Sequence, residues 1–194
     1  MSLKEIEYKL ERKRIDTLIN EMQDELGKFD NVINVLIESV MGKIDSRERY
    51  ISVIDAINAL ERIDSERVTD FFIEYIQDRT NKRRSNALLA LSVFRSIKAV
   101  DALIEYIQDK DEGWGIAFST LEHIKSERVI DFSIEYLQNI NNPNREYAIQ
   151  VLAEVGSKRA IRPLRGWLGD PSIHNSVYRA ISLIHQRLKP QGYN

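Results

Sequence analysis

SERVTDFFIEYIQD at residues 65–78 decides the fold of this chain, because the chain repeats this stretch. It returns as SIKAVDALIEYIQD at 96–109, as SERVIDFSIEYLQN at 126–139 and, more weakly, as SKRAIRPLRGWLGD at 157–170. The four starts are separated by 31, 30 and 31 residues. A fixed period of this length is typical of a repeat array, in which each repeat is one supersecondary unit. We call these four stretches the repeat segments.

The first repeat segment has the periodicity of an amphipathic helix. At 3.6 residues per turn, Val68, Phe72 and Ile76 share one side, and Phe71 and Ile73 flank them. Such a wide apolar arc predicts a helix that packs under a partner helix and against neighbours on both sides.

A second kind of helix is predicted between the repeat segments, with small residues one turn apart and an apolar residue after them. Its first alanine recurs at intervals of 31, 30, 31 and 32 residues: Ala56, Ala87, Ala117, Ala148 and Ala180. We expect each repeat segment to be the second helix of a pair and the alanine-rich helix before it to be the first.

Local signals separate these helices. The connecting stretches are rich in Asp, Asn, Gly and Pro, which favour turns. A serine opens each repeat segment, where its hydroxyl is expected to accept a hydrogen bond from a backbone N–H of the first turn. These four serines are Ser65, Ser96, Ser126 and Ser157.

The pattern predicts an all-α fold, an alpha-alpha superhelix of about eleven helices in antiparallel pairs, as one domain over residues 1–194. FDNVINVLIESVMG at 29–42 aligns with the first repeat segment at an offset of 36 residues. We expect residues 1–46 to be N-terminal capping helices, including a first helix over 2–26. Residues 47–169 are then the regular repeats, and residues 170–194 are a C-terminal helix and tail.

The stretch VLAEVGSKRAIRPLRGWLGDPS at 151–172 resembles a HEAT-like repeat of the phycobilisome-lyase type. The resemblance lies in a small-residue helix that ends in Leu and Gly, a second helix with Ala, Leu and Leu, and a final Asp-Pro. It covers roughly residues 47–188 and implies a HEAT-like solenoid. HEAT-like repeats occur in lyase subunits, scaffolds, adaptors and repair enzymes, so the resemblance implies little about function.

Composition excludes several function classes. The 28 Lys and Arg against 30 Asp and Glu give a net charge of −2. Such a chain has no overall positive field to attract phosphates, which argues against nucleic acid as a partner. The absence of cysteine excludes disulfides and thiolate chemistry. No apolar stretch approaches a membrane span, so we expect a cytoplasmic protein without a membrane partner. No motif predicts a metal site, a cofactor or catalytic residues.

Carboxylates opposite the apolar side are the main candidate binding residues. They recur in two columns of the repeat segments: Asp70 and Glu74, Asp101 and Glu105, Asp131 and Glu135. In a HEAT-like array these columns are expected to line the concave face, where they would attract a basic protein. Trp114 lies between two glycines and is the candidate apolar anchor of the same interface.

Each candidate has a structural alternative. The carboxylates are a solvated face if Arg67, Lys98 and Arg128 each pair with the Asp three residues later on the same helix. Trp114 is a packing residue if its ring folds over a neighbour. In the same way, the basic run at residues 82–84 is expected to be a solvated helix start, and Trp167 to be buried.

The leading hypothesis is a non-catalytic protein–protein interaction module, or adaptor, that binds a basic partner on its concave face. The alternative is a lyase-subunit-like or DNA-repair-like HEAT protein that acts on a small ligand or nucleic acid. An acidic repeated face argues against the nucleic-acid alternative, because phosphate binding requires a basic track.

Overall fold

A computed structural model describes residues 26–42, 52–63, 66–81, 83–109 and 113–189, together with residues 13 and 17. Within these residues the secondary structure is helical and contains no strand, as the sequence predicted. The predicted first helix over residues 2–26 falls largely outside the described residues, and Ser65 falls outside them too.

Ten α-helices occupy the described residues. They are α1 (Leu26–Val40), α2 (Val53–Ile63), α3 (Glu66–Gln77), α4 (Arg84–Phe94), α5 (Val100–Asp109), α6 (Trp114–Leu121), α7 (Glu127–Gln138), α8 (Glu146–Val155), α9 (Lys158–Arg165) and α10 (His174–Leu188). A short 3₁₀ turn at Ile97–Ala99 precedes α5.

The chain divides into two compact units, Met1–Phe94 and Arg95–Asn194. In the first unit α1 packs on α2, α3 packs on α4, and α4 also contacts α1 and α2. In the second unit α5 packs on α6, α7 on α8 and α9 on α10. There α6, α8 and α10 also contact one another in that order, as do α5, α7 and α9. The single domain over 1–194 stays a prediction.

The apolar side of the repeat segments lies in the core, as predicted. Val68, Phe72 and Ile76 of α3 are buried, and Phe71 and Ile73 are half-buried. The recurring alanines of α2, α4, α6, α8 and α10 are also fully buried, which lets neighbouring helices approach closely.

The pairing of helices differs from the prediction in one respect. Each repeat segment packs on the alanine-rich helix that follows it, and α3, α7 and α9 pack on that helix more closely than on the alanine-rich helix that precedes them. The turns after the repeat segments favour this pairing, because their side chains bind backbone carbonyls in the last turn of the repeat segment. Asn81 Nδ2 donates to the Tyr75 carbonyl at 3.5 Å, and Asn142 Nδ2 donates to the equivalent Tyr136 carbonyl at 3.0 Å. The chain therefore reverses tightly after α3 and after α7.

Serine caps begin the repeat segments of the second unit, as predicted. The hydroxyls of Ser96, Ser126 and Ser157 accept hydrogen bonds from the backbone N–H groups two residues later, at 3.2–3.4 Å. At the C-terminal end of α3, the chain turns at Asp78 and Thr80. Hydrogen bonds from the hydroxyl and backbone N–H of Thr80 hold the pKa of Asp78 below its usual value.

Candidate protein-binding surfaces

The six predicted carboxylates all lie on the solvent side of their helices. Helical periodicity places them there, because each stands opposite the buried side of its repeat segment. All of them are exposed: Asp70 and Glu74 on α3, Asp101 and Glu105 on α5, Asp131 and Glu135 on α7. The first two belong to the first unit and the other four to the second.

The first of the two carboxylate columns consists of Asp70, Asp101 and Asp131, and we call it the Asp column; the glutamates Glu74, Glu105 and Glu135 form the Glu column. In the second unit, arginines of the next repeat segment bind the Asp column. Arg128 Nε of α7 lies 2.9 Å from Asp101 Oδ1 of α5. Arg159 of α9 reaches back to α7, with Nη2 at 2.5 Å from Asp131 Oδ1 and Nη1 at 2.6 Å from Glu127 Oε2. We call these contacts the ion-pair ladder; it joins α5 to α7 and α7 to α9.

For Arg128, the ladder replaces the pairing within one helix that the structural alternative expected. Arg128 binds Asp101 rather than Asp131, because Arg159 already occupies the Asp131 carboxylate. The carboxylates of Asp131 and Glu127 raise the pKa of Arg159, so its guanidinium stays charged. All these side chains are at least half exposed, and exposed ion pairs contribute little to stability.

The Glu column is used differently. Glu135 has no hydrogen-bond or ion-pair partner within the described part of the chain, whereas Glu105 does have an interaction within the protein. Glu135 stands at the edge of a pocket of about 280 Å³ between α5 and α7. The other lining residues are Ile107, Gln108, Phe132, Tyr136, Asn139 and Asn142. Burial raises the pKa of Tyr136, whose hydroxyl donates to the Pro143 carbonyl at 3.1 Å.

A larger acidic groove lies in the first unit between α1 and α3, and we call it the α1–α3 groove. Its volume is about 760 Å³, and it is lined by Asn34, Ile37, Glu38, Glu66, Arg67, Asp70, Phe71 and Glu74. Four of these eight side chains are carboxylates and one is a guanidinium. Asp70 and Glu74 were predicted as binding residues, and the structure adds Glu38 from the facing helix.

Sequence reasoning missed Glu38, although a signal for it existed. At the offset of 36 residues that aligns residues 29–42 with the first repeat segment, Glu38 matches Glu74 and Asn34 matches Asp70. The α1–α3 groove is therefore lined by the same two columns that recur in the repeat segments. The position of the Asp column on α1 is the uncharged Asn34, so an ion pair like those of the ladder cannot form there.

Trp114 packs against neighbouring aromatic rings, which agrees better with its role as a packing residue than with a fully exposed anchor. Its ring is half-buried and makes edge contacts with Tyr147 and Phe118, at centroid distances of 5.3 and 6.0 Å. The Tyr147 ring also closes over Gly115, where an added Cβ would come within 3.1 Å of the Tyr147 hydroxyl. Trp114 thus belongs to an aromatic cluster between α6 and α8, with part of its ring left exposed.

Two packing predictions are corrected by the structure. Arg84, expected in a solvated helix start, is buried and donates its Nε hydrogen to the Ile76 carbonyl at the end of α3. Arg83 donates to the Met41 carbonyl after α1 at 2.6 Å. Trp167 is half-buried rather than buried, and the guanidinium of Arg145 lies over its ring at 4.2 Å from the centroid.

The described residues contain no cluster of three or more His, Asp or Glu side chains that could hold a metal ion. None of the helices in these residues has the length and apolar character needed to cross a membrane. No family model matches the chain, and no curated protein has significant sequence similarity to it. The HEAT-like resemblance therefore stays a prediction from the repeat segments.

Proposed function

We propose that this protein is a non-catalytic interaction module, an adaptor that binds a basic protein through its acidic surfaces. In this proposal the helix pairs stack as HEAT-like repeats in an alpha-alpha superhelix, and the repeat segments present their carboxylates on its concave side. The regular contacts α5 to α7 to α9, and α6 to α8 to α10, support such stacking within the second unit.

The observation that carries the proposal is the exposure of carboxylates that make no hydrogen bond or ion pair within the described part of the chain. Glu38, Glu74 and Glu135 are exposed, and none of them has a hydrogen-bond or ion-pair partner among the described residues. An exposed carboxylate without a partner is free to meet a cationic side chain of another protein at no cost in internal contacts. Both units carry at least one of them.

The test is to reverse the charge of the three glutamates in the Glu column and to measure which proteins the variant captures. The variant Glu74→Lys/Glu105→Lys/Glu135→Lys is expected to lose basic proteins that the wild-type chain retains from host lysate at low salt. A matched control, Glu61→Lys/Glu122→Lys/Glu154→Lys, makes the same change in net charge on or beside the alanine-rich helices. It is expected to retain the same proteins, as identified by mass spectrometry.

Circular dichroism of both variants should match the wild type, because all six substitutions lie outside the buried core. Equal capture by both variants would show that the Glu column is only a solvated face. Capture of nucleic acid instead of protein would favour the alternative function.

A further inference from the structure

We infer that the α1–α3 groove is the docking site for a short basic amphipathic helix of the partner protein. This inference rests on the proposed function and specifies the form of the partner and the place where it binds. Its basis is a groove in which α1 and α3 each contribute a carboxylate without a partner among the described residues, with an apolar floor between them.

Charge is the first argument. Glu38 stands on α1 and Glu74 on α3, so each wall of the α1–α3 groove carries a carboxylate that has no partner among the residues the structure describes. Glu66, Arg67 and Asp70 each have an interaction within the protein, yet they leave the lining with an excess of negative charge. A ligand with cationic side chains on both flanks would complement both walls at once.

The spacing along α3 gives the length of the partner segment. Glu66, Asp70 and Glu74 recur every four residues and form one row along α3. At 1.5 Å per residue, this row is about 12 Å long, which corresponds to about two helical turns. The partner segment therefore needs basic residues one turn apart over about two turns.

The floor of the groove is apolar. Ile37 is buried, and Phe71 is half-buried, so part of the Phe71 ring remains accessible. That ring contacts the rings of Phe72 and Tyr75, at centroid distances of 5.4 and 5.9 Å. An apolar side chain between the basic flanks of the partner would rest on Phe71.

These features favour a helix over the other ligand classes. Both walls are α-helices whose backbone groups are bonded within the helix, so an extended peptide would find no strand edge to extend. Carboxylates on both walls would repel phosphates, which disfavours nucleic acid and anionic lipid. An amphipathic helix seated between two helices buries its apolar face and exposes its charged flanks to the carboxylates.

The probe for the experiment is a fluorescein-labelled peptide made of two copies of the heptad Lys-Leu-Leu-Lys-Leu-Leu-Lys. We expect it to bind the full chain, with fluorescence anisotropy reporting the affinity at low and moderate salt. Glu38→Lys/Glu74→Lys should weaken binding by about tenfold or more, since it replaces two attractions by two repulsions. The control Glu61→Lys changes an exposed carboxylate of α2 in the same unit and should leave the affinity within about twofold. A peptide of the same composition, with its leucines distributed over all sides of the helix, should bind more weakly, because it has no apolar helical face.

A third variant separates this inference from the proposed function. Glu105→Lys/Glu135→Lys changes the second unit and leaves the α1–α3 groove intact. Loss of binding in that variant, with retention in Glu38→Lys/Glu74→Lys, would overturn the groove and leave the proposed function standing. Absence of peptide binding by the wild-type chain would overturn the groove as a helix-docking site, while lysate capture would still test the proposed function independently.

Discussion

The α1–α3 groove and the α5–α7–α9 face are built from the same two columns of side chains, but they use them differently. On the α5–α7–α9 face, Asp101 and Asp131 bind arginines of the next repeat segment. In the α1–α3 groove the corresponding position on α1 is Asn34, and Glu38 and Glu74 line the groove without a hydrogen-bond or ion-pair partner among the described residues. The Asp column is thus ion-paired on the α5–α7–α9 face, whereas its position on α1 holds an uncharged Asn34.

The cores beneath these two surfaces differ as well. Phe72 fills the centre of α3, whereas the equivalent position of α7 is Ser133, whose buried hydroxyl donates to the Val129 carbonyl at 2.7 Å. In the second unit Phe118 of α6 supplies the aromatic ring, and it stacks on Phe132 of α7 at 6.0 Å. The comparison teaches that a repeated sequence fixes which side is apolar, while neighbouring helices decide which side chain fills the space.

The largest effect on stability is expected from removing the buried Phe72 ring of α3. Phe72→Ala should lower the free energy of unfolding by about 3–5 kcal/mol, because it leaves a cavity in a fully buried site. Ser133→Ala, at the equivalent position of α7, should cost only about 0.5–1.5 kcal/mol, the net value of one hydrogen bond. Urea unfolding of the full chain, followed by circular dichroism, measures both. Equal costs would mean that the two cores are alike.

An intermediate effect is expected at the turn that closes α3 onto α4. Arg84→Met should cost about 1–3 kcal/mol, because it leaves the Ile76 carbonyl without its buried donor. Arg165→Met, at an exposed position of α9, serves as the control and should be nearly neutral in the same urea titration. If Arg84→Met proved as neutral as Arg165→Met, water would be replacing the guanidinium at this carbonyl.

The smallest effect is expected from breaking the ion-pair ladder. Arg159→Gln removes both contacts from α9 to α7 and should lower the thermal midpoint slightly at low salt. The difference from wild type should vanish at high salt, because exposed charges are screened. Arg162→Gln changes an exposed arginine on the same helix and should leave the midpoint unchanged at both salt concentrations. A salt-independent loss in Arg159→Gln would show that the arginine stabilises by packing instead.

Much of the helical architecture could be predicted from the sequence. The buried side of α3, the serine caps at Ser96, Ser126 and Ser157, and the exposure of the six carboxylates all follow from local periodicity and hydrogen-bonding chemistry. The burial of Arg84 could not be predicted, since it depends on where the end of α3 lies relative to the first turn of α4.

The candidate site divides in the same way. The sequence by itself determined the columns of carboxylates, because an α-helix repeats its faces every 3.6 residues whatever packs against it. Only the tertiary structure decided which carboxylates remain available for a partner. Arg128 and Arg159 bind the Asp column across neighbouring helices, while Glu38 and Glu74 both line the α1–α3 groove. The physical reason is that ion pairing depends on distances of a few ångströms between separate helices, which the spacing along one helix does not fix.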